Sequence, residues 1–173
     1  PATPEHSLET RVIRIGMIAL GKMGISHLAI VRSHPQVELV AACDSNAYLT
    51  DVLGKHTGLK CYADLDRMLD GEQLDAVVVS TPDHTHFPAT LAAMERGIHV
   101  YTQKPLTHNI WQARTLVKAK ERYKLVTQMG NQGHAGIGIR KSVEAYRAGV
   151  IGEVSEVFAR NDGPQMGGQH FAN

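Results

Sequence analysis

From residue 12 onward, apolar runs alternate with stretches of helical periodicity. The runs cover residues 12–20, 37–43, 74–80, 98–102 and 125–129, with a short weaker one at 60–62. They are too continuously apolar and too rich in β-branched residues for a sheet with one wet face, so they predict strands covered on both sides. Each gap is long enough for a crossover helix, which makes the pairing parallel. Residues 22–33, 46–57, 64–69 and 86–96 read as helices, the last with Pro88 near its first turn and Gly97 as a stop. Behind Thr107, read as an N-cap, Ile110, Ala113, Leu116 and Val117 recur at helical spacing. Ile139, Val143 and Tyr146 do the same over 139–147, ended by Gly149. A final alternating run, 153–160, sets Val154, Glu156 and Phe158 on one side and Ser155, Val157 and Ala159 on the other, which predicts a strand. No apolar period follows it.

The first strand runs into closely spaced glycines and then a helix. This is where a parallel α/β sheet receives a dinucleotide, its phosphates against free N–H groups at a helix N-terminus. The fingerprint G-x-G-x-x-G reads here as Ala19-Leu20-Gly21-Lys22-Met23-Gly24, with alanine in place of the first glycine. Alanine is expected there only if its φ stays negative, with the loop shifted slightly around the phosphates. Gly21 allows close approach of the backbone to a pyrophosphate, and Gly24 allows the helix to pack on the strand. Asp44, about 20 residues past Gly24, suits a carboxylate that accepts from the adenosine ribose hydroxyls.

Composition adds little to this picture. The chain is 43% hydrophobic and 20% charged with a net charge of +1, which argues against broad attraction to nucleic acid or to an anionic membrane. No apolar run approaches the roughly 20 residues that span a bilayer. Residues 1–10 are polar, start without methionine and read as a flexible leader. A cytoplasmic location is expected, with export after removal of an upstream signal as the alternative. Cys43 and Cys61 form no C-x-x-C pair and read as reduced, small apolar residues. Of the ten histidines, His84 and His86 stand two apart, but no thiol or carboxylate cluster at ligand spacing joins them, so no metal is expected. A methyltransferase places an acid at the end of its first strand, where this chain has Met17, Ile18 and Ala19.

Three loops are expected to converge at the C-terminal ends of the strands: the glycine loop, residues 80–86 and residues 102–106. Lys104, directly after a buried strand and before a proline, is placed there for proton transfer or for holding a hydroxyl, unless it is simply a solvated lysine.

The segment VVVSTPDHTHFPATLAAMERGIHVYTQKPLTHNIWQA resembles the core of the Gfo/Idh/MocA family, oxidoreductases that use NAD(P) on sugars, inositols and related polyols. That family shows T-P-N-x-x-H, G-K-H-V and E-K-P-L in this order and at these spacings, and the similarity runs from about residue 11 to 158. The run TQMGNQGH is similar to a subgroup that is often exported. The resemblance implies a doubly wound, mostly parallel Rossmann sheet with helices on both faces, over residues 11–150. It also implies that residues 151–173 begin a second, α+β open-sheet domain that carries much of the substrate site and a homo-oligomer interface.

Residue by residue, the resemblance puts Gly21, Lys22 and Met23 on the pyrophosphate of NAD and Asp44 on its adenosine ribose. Thr81, Pro82 and His86 fall along the cofactor, with Gln103 and Lys104 at the nicotinamide, where Lys104 also meets the substrate hydroxyl as the catalytic residue. Asp83 replaces the family's asparagine and is an acceptor only. Gln103 replaces its glutamate, which removes a charge partner of Lys104 and favours a donor's role for the lysine over a proton relay. Asp44 opposes a 2′-phosphate, and Ser45 and Asn46 supply no arginine to receive one, so NAD is expected over NADP. The implied activity is hydride transfer between the cofactor and a hydroxyl carbon of a sugar, inositol or related polyol. The alternatives are NAD-dependent glycoside cleavage within the same family and a non-catalytic dinucleotide-binding module.

Overall fold

The computed structural model describes residues 11–158, so the expected leader and residues 159–173 of the expected second domain lie outside it. Six strands form one sheet: β1 (Ile13–Ile18), β2 (Val37–Cys43), β3 (Lys60–Tyr62), β4 (Ala76–Val79), β5 (His99–Gln103) and β6 (Thr127–Gly130). All neighbours are parallel, and their order is β3-β2-β1-β4-β5-β6. The order reverses direction between β1 and β4, the switch point at which open α/β sheets bind ligands.

The helices are α1 (Lys22–Arg32), α2 (Ala47–Thr57), α3 (Leu65–Gly71), α4 (His86–Glu95), α5 (Ile110–Tyr123) and α6 (Ile137–Arg147). Strand alternation sorts the core into two layers. Ile18, Cys43, Val77, Val79 and Val100 pack with Met68 of α3, Ala93 and Met94 of α4 and Leu116 of α5. Met17, Ala42 and Val78 pack on the other face with Leu28 of α1 and Leu49 and Leu53 of α2. Both faces of the sheet are therefore covered, as the largely apolar runs required.

Local chemistry places the helix ends. The Asn46 side chain accepts the Tyr48 and Leu49 N–H groups, and Asp64 accepts that of Arg67. Gly97 takes φ +77 just past α4, where a side chain is strained. One expected cap moves: Asn109, not Thr107, caps α5 by accepting from Gln112, because Thr107 instead donates to the Asn109 carbonyl.

The chain divides into two compact units, one ending at Asn131 and the other beginning at Gln132. The second unit holds a short 3₁₀ turn over Gln132–Ala135 and then α6, which starts two residues before the expected 139. The strand expected over 153–160 does not form over 153–158, and 159–160 lie outside the described residues. Alternation alone makes no strand without a neighbouring ladder, and no described residue pairs with this segment. Val157 and Phe158 are 78% and 77% exposed.

Candidate functional site

At the switch point a cleft of about 1060 Å³ opens between the β1 turn, the end of β2 and the loop after β4. Gly21, Lys22 and Met23 line it on one side, Asp44, Ser45 and Asn46 at one end, and Ser80, Thr81 and Pro82 on the other. Ala63, Leu65, Pro88 and Ala92 extend it along α3 and α4.

The glycine loop is held from below. Ala19 donates its N–H to the Cys43 carbonyl at 2.8 Å and Leu20 donates to Asp44 Oδ2 at 2.6 Å. Gly24 lies so close to this turn that a Cβ built on it meets the Ala19 carbonyl oxygen at 2.0 Å. Under these constraints Ala19 takes φ +73, in the left-handed region, so the expectation of a negative φ is overturned. The neighbouring hydrogen bonds and the first turn of α1 impose the conformation that a glycine adopts freely, and the alanine bears the strain. Ala19→Gly is accordingly expected to raise the thermal unfolding midpoint by about 2 °C, about 0.5–1 kcal/mol of stability. A lower midpoint in a thermal melt contradicts this.

Gly21 is the N-cap of α1 and no side chain caps it, which leaves the first-turn N–H groups and the helix dipole to a ligand. A Cβ on Gly21 meets nothing within 4 Å, so the cleft is open directly above the turn. Asp44 Oδ1 accepts the Asn46 N–H at 2.8 Å, and with the Leu20 bond both carboxylate oxygens are anchored to backbone. Each oxygen keeps a second lone pair for a ribose hydroxyl. Cys43 lies under the same end, where burial, reinforced by the charges of Asp44 and Asp64, pushes its thiol up to about 11. It is a floor residue and not a nucleophile.

The loop after β5 sits differently from the expectation that all three loops line one crevice. Lys104 is exposed and outside the residues that line the cleft. His86, expected along the cofactor, is 1% exposed and its ring is spoken for: Nε2 lies 2.9 Å from the Thr81 carbonyl oxygen and Nδ1 2.5 Å from that of Pro105. It ties the second loop to the third. Gln103 is also buried. Its Nε2 lies 2.8 Å from His27 Nε2 on α1, and its Oε1 accepts the Lys104 N–H at 3.2 Å. Burial lowers the His27 pKa, which suits a neutral ring accepting from the Gln103 amide. His86 and Gln103 thus support the loops that the sequence expected them to line, because their side chains meet protein acceptors and donors first.

The residues present fit a dinucleotide. Beyond the uncapped helix and the open turn, two hydroxyls in the loop after β4, Ser80 Oγ and Thr81 Oγ1, are buried without a partner. Ser80 was expected only as the first residue of the second loop, with no role of its own, and Ala63 and Leu65 were not expected at the site. Ser80 alone carried a signal, as the polar residue that ends an apolar strand.

A family described as oxidoreductase, NAD-binding Rossmann fold (GFO_IDH_MocA) matches residues 13–131. The chain is 30% identical over 159 residues to the inositol 2-dehydrogenase/D-chiro-inositol 3-dehydrogenase of Lacticaseibacillus casei, covering 90% of this chain and 46% of that protein. It is 28% identical over 156 residues to a glycosyl hydrolase family 109 protein of Shewanella sp., covering 83% of this chain and 33% of that one. The WlbA dehydrogenase of Bordetella pertussis, solved with NADH and UDP-GlcNAcA, superposes with a TM-score of 0.77 at 25% identity, over 82% of this chain and 44% of that chain. The chain spans less than half the length of these relatives. With its six parallel strands in Rossmann order and an open cleft at their switch point, the chain belongs to the GFO_IDH_MocA oxidoreductases, a family with an NAD-binding Rossmann fold.

Proposed function

We propose that this chain is the cofactor half of an NAD-dependent dehydrogenase acting on a hydroxyl carbon of a sugar, inositol or related polyol. One observation carries the reading: a carboxylate anchored at the end of β2 faces the same cleft as an uncapped helix N-terminus. That pairing takes a ribose at one end and a pyrophosphate in the middle. The relatives named for inositol dehydrogenation supply the substrate class.

Gly21, Lys22 and Met23 hold the pyrophosphate, Asp44 the adenosine ribose, and Thr81 and Pro82 the far side of the cofactor. NAD, when bound, supplies the hydride acceptor. Asp44 disfavours a 2′-phosphate, and the adjacent Ser45 and Asn46 offer no cation to compensate, so NAD is preferred over NADP. Lys104 orients the substrate hydroxyl by donating from Nζ or relays its proton. Its backbone is set by Gln103 and, through Pro105, by His86.

The test is calorimetric titration with NADH, followed by turnover of a polyol panel in the complete gene product. Lys104→Ala should leave NADH affinity within about twofold and lower kcat by a factor on the order of 10² or more, the usual span of a lost proton-transfer group. Unchanged kcat removes Lys104 from the reaction. The family 109 relatives favour a second reading, glycoside cleavage with transient oxidation. Release of sugar without net change in NADH absorbance selects it.

A further inference from the structure

Ser80 sits at the point where β4 leaves the sheet. Its N–H donates to the Ile18 carbonyl at 2.9 Å, so its backbone is fixed beside the end of β1. Its Cβ lies 3.8 Å from where a Cβ on Gly24 would stand, under the first turn of α1. Its hydroxyl is nevertheless buried without a partner, and so is that of Thr81 next to it. Among the described residues these are the only two such side-chain atoms, and both residues line the cleft. Buried hydroxyls elsewhere among the described residues are paired, as Thr90 with Thr102 at 2.7 Å.

An unpaired buried hydroxyl is destabilising, and folded proteins rarely keep one without a use for it. A purely structural residue here would be alanine, which fits the same space and brings no polar atom. The group expected beside Ser80 is set by its neighbours: the α1 N-terminus takes the pyrophosphate, and Asp44, across β1 on β2, takes the adenosine ribose. What remains on the β4 side is the half of the dinucleotide beyond the pyrophosphate. A serine hydroxyl moves between its three staggered wells at small cost, so it reaches an acceptor in the cleft without backbone movement.

We propose that Ser80 is a further cofactor-binding residue, whose hydroxyl is left without a partner in the free chain and donates to the ribose beyond the pyrophosphate of the bound dinucleotide. This rests on the reading of the cleft given above. The position sacrifices stability of the free chain for affinity, so replacing the hydroxyl moves the two in opposite directions.

That opposition is the test. Ser80→Ala and the unaltered chain are compared by thermal unfolding without ligand and by calorimetric titration with NADH, ADP-ribose and AMP. The variant should unfold at the same midpoint or about 2 °C higher. Its Kd for NADH and for ADP-ribose should rise about three- to tenfold, the span of one hydrogen bond, while that for AMP stays unchanged. Equal NADH affinity in the two chains overturns the role of Ser80 and leaves the cofactor reading standing. A lower midpoint also overturns it, since the hydroxyl then serves the fold, and so does an equal loss for AMP. An unaltered chain that binds AMP but neither NADH nor ADP-ribose, or that binds none of the three, overturns the cofactor reading itself and this inference with it.

Discussion

Gly24→Ala is expected to lower stability by about 3 kcal/mol and to weaken NADH binding by at least about tenfold. The added methyl meets the Ala19 carbonyl oxygen at 2.0 Å and its carbon at 2.8 Å, both backbone atoms. No rotamer change relieves such a contact. Ala19 has no room to retreat, because its N–H is bound to Cys43 and the next N–H to Asp44. The start of α1 must move away instead, and with it the N–H groups that face the cleft. For a chain of this size about 3 kcal/mol corresponds to a fall of about 6–12 °C in the unfolding midpoint. A melt and an NADH titration check the two effects, and a midpoint within a degree of the unaltered chain refutes the packing argument.

Asp44→Asn is expected to produce the second largest effect, because one carboxylate serves both loop and ligand. Its two oxygens accept from Leu20 and Asn46. An asparagine offers one acceptor and turns an NH₂ group toward the other backbone donor, so one charge-assisted bond is lost, about 1.5–3 kcal/mol. The glycine loop loosens while the ribose loses its charged acceptor. NADH affinity should fall by at least about tenfold, and the gap between NADH and NADPH should narrow as the charge opposing a 2′-phosphate disappears. Titration with both cofactors measures this. Full retention of the gap counts against Asp44 as the residue that discriminates.

Much of this site was legible in the chain because its determinants are local. The run 37–43, apolar except for Glu38, became β2 at those bounds, which put Asp44 at a strand end. The helices read from 46 and 64 begin there, because the Asn46 and Asp64 side chains cap them. The elements that went astray depend on partners distant in sequence. The alternation of 153–158 lacked a strand to pair with, and Thr107 was displaced as a cap by the better-placed side chain of Asn109. Spacing also put His86 and Gln103 in the right loops, but no spacing says whether a side chain at a strand end turns toward a ligand or toward protein.

The order of strands and helices, the parallel pairing and the acid and glycines of the cofactor loop were thus determined by the sequence itself, since periodicity, turn chemistry and motif spacing act over a few tens of residues. Tertiary structure decided the remainder. It drove Ala19 to a left-handed φ by hydrogen bonds from β2 and the closeness of α1, and it turned His86 onto Thr81 and Pro105 and Gln103 onto His27. It also left the hydroxyls of Ser80 and Thr81 without partners at the cleft wall. Which donor meets which acceptor is settled only when elements remote in the chain are packed together, because a buried polar group must take the partner that the packed fold brings within reach.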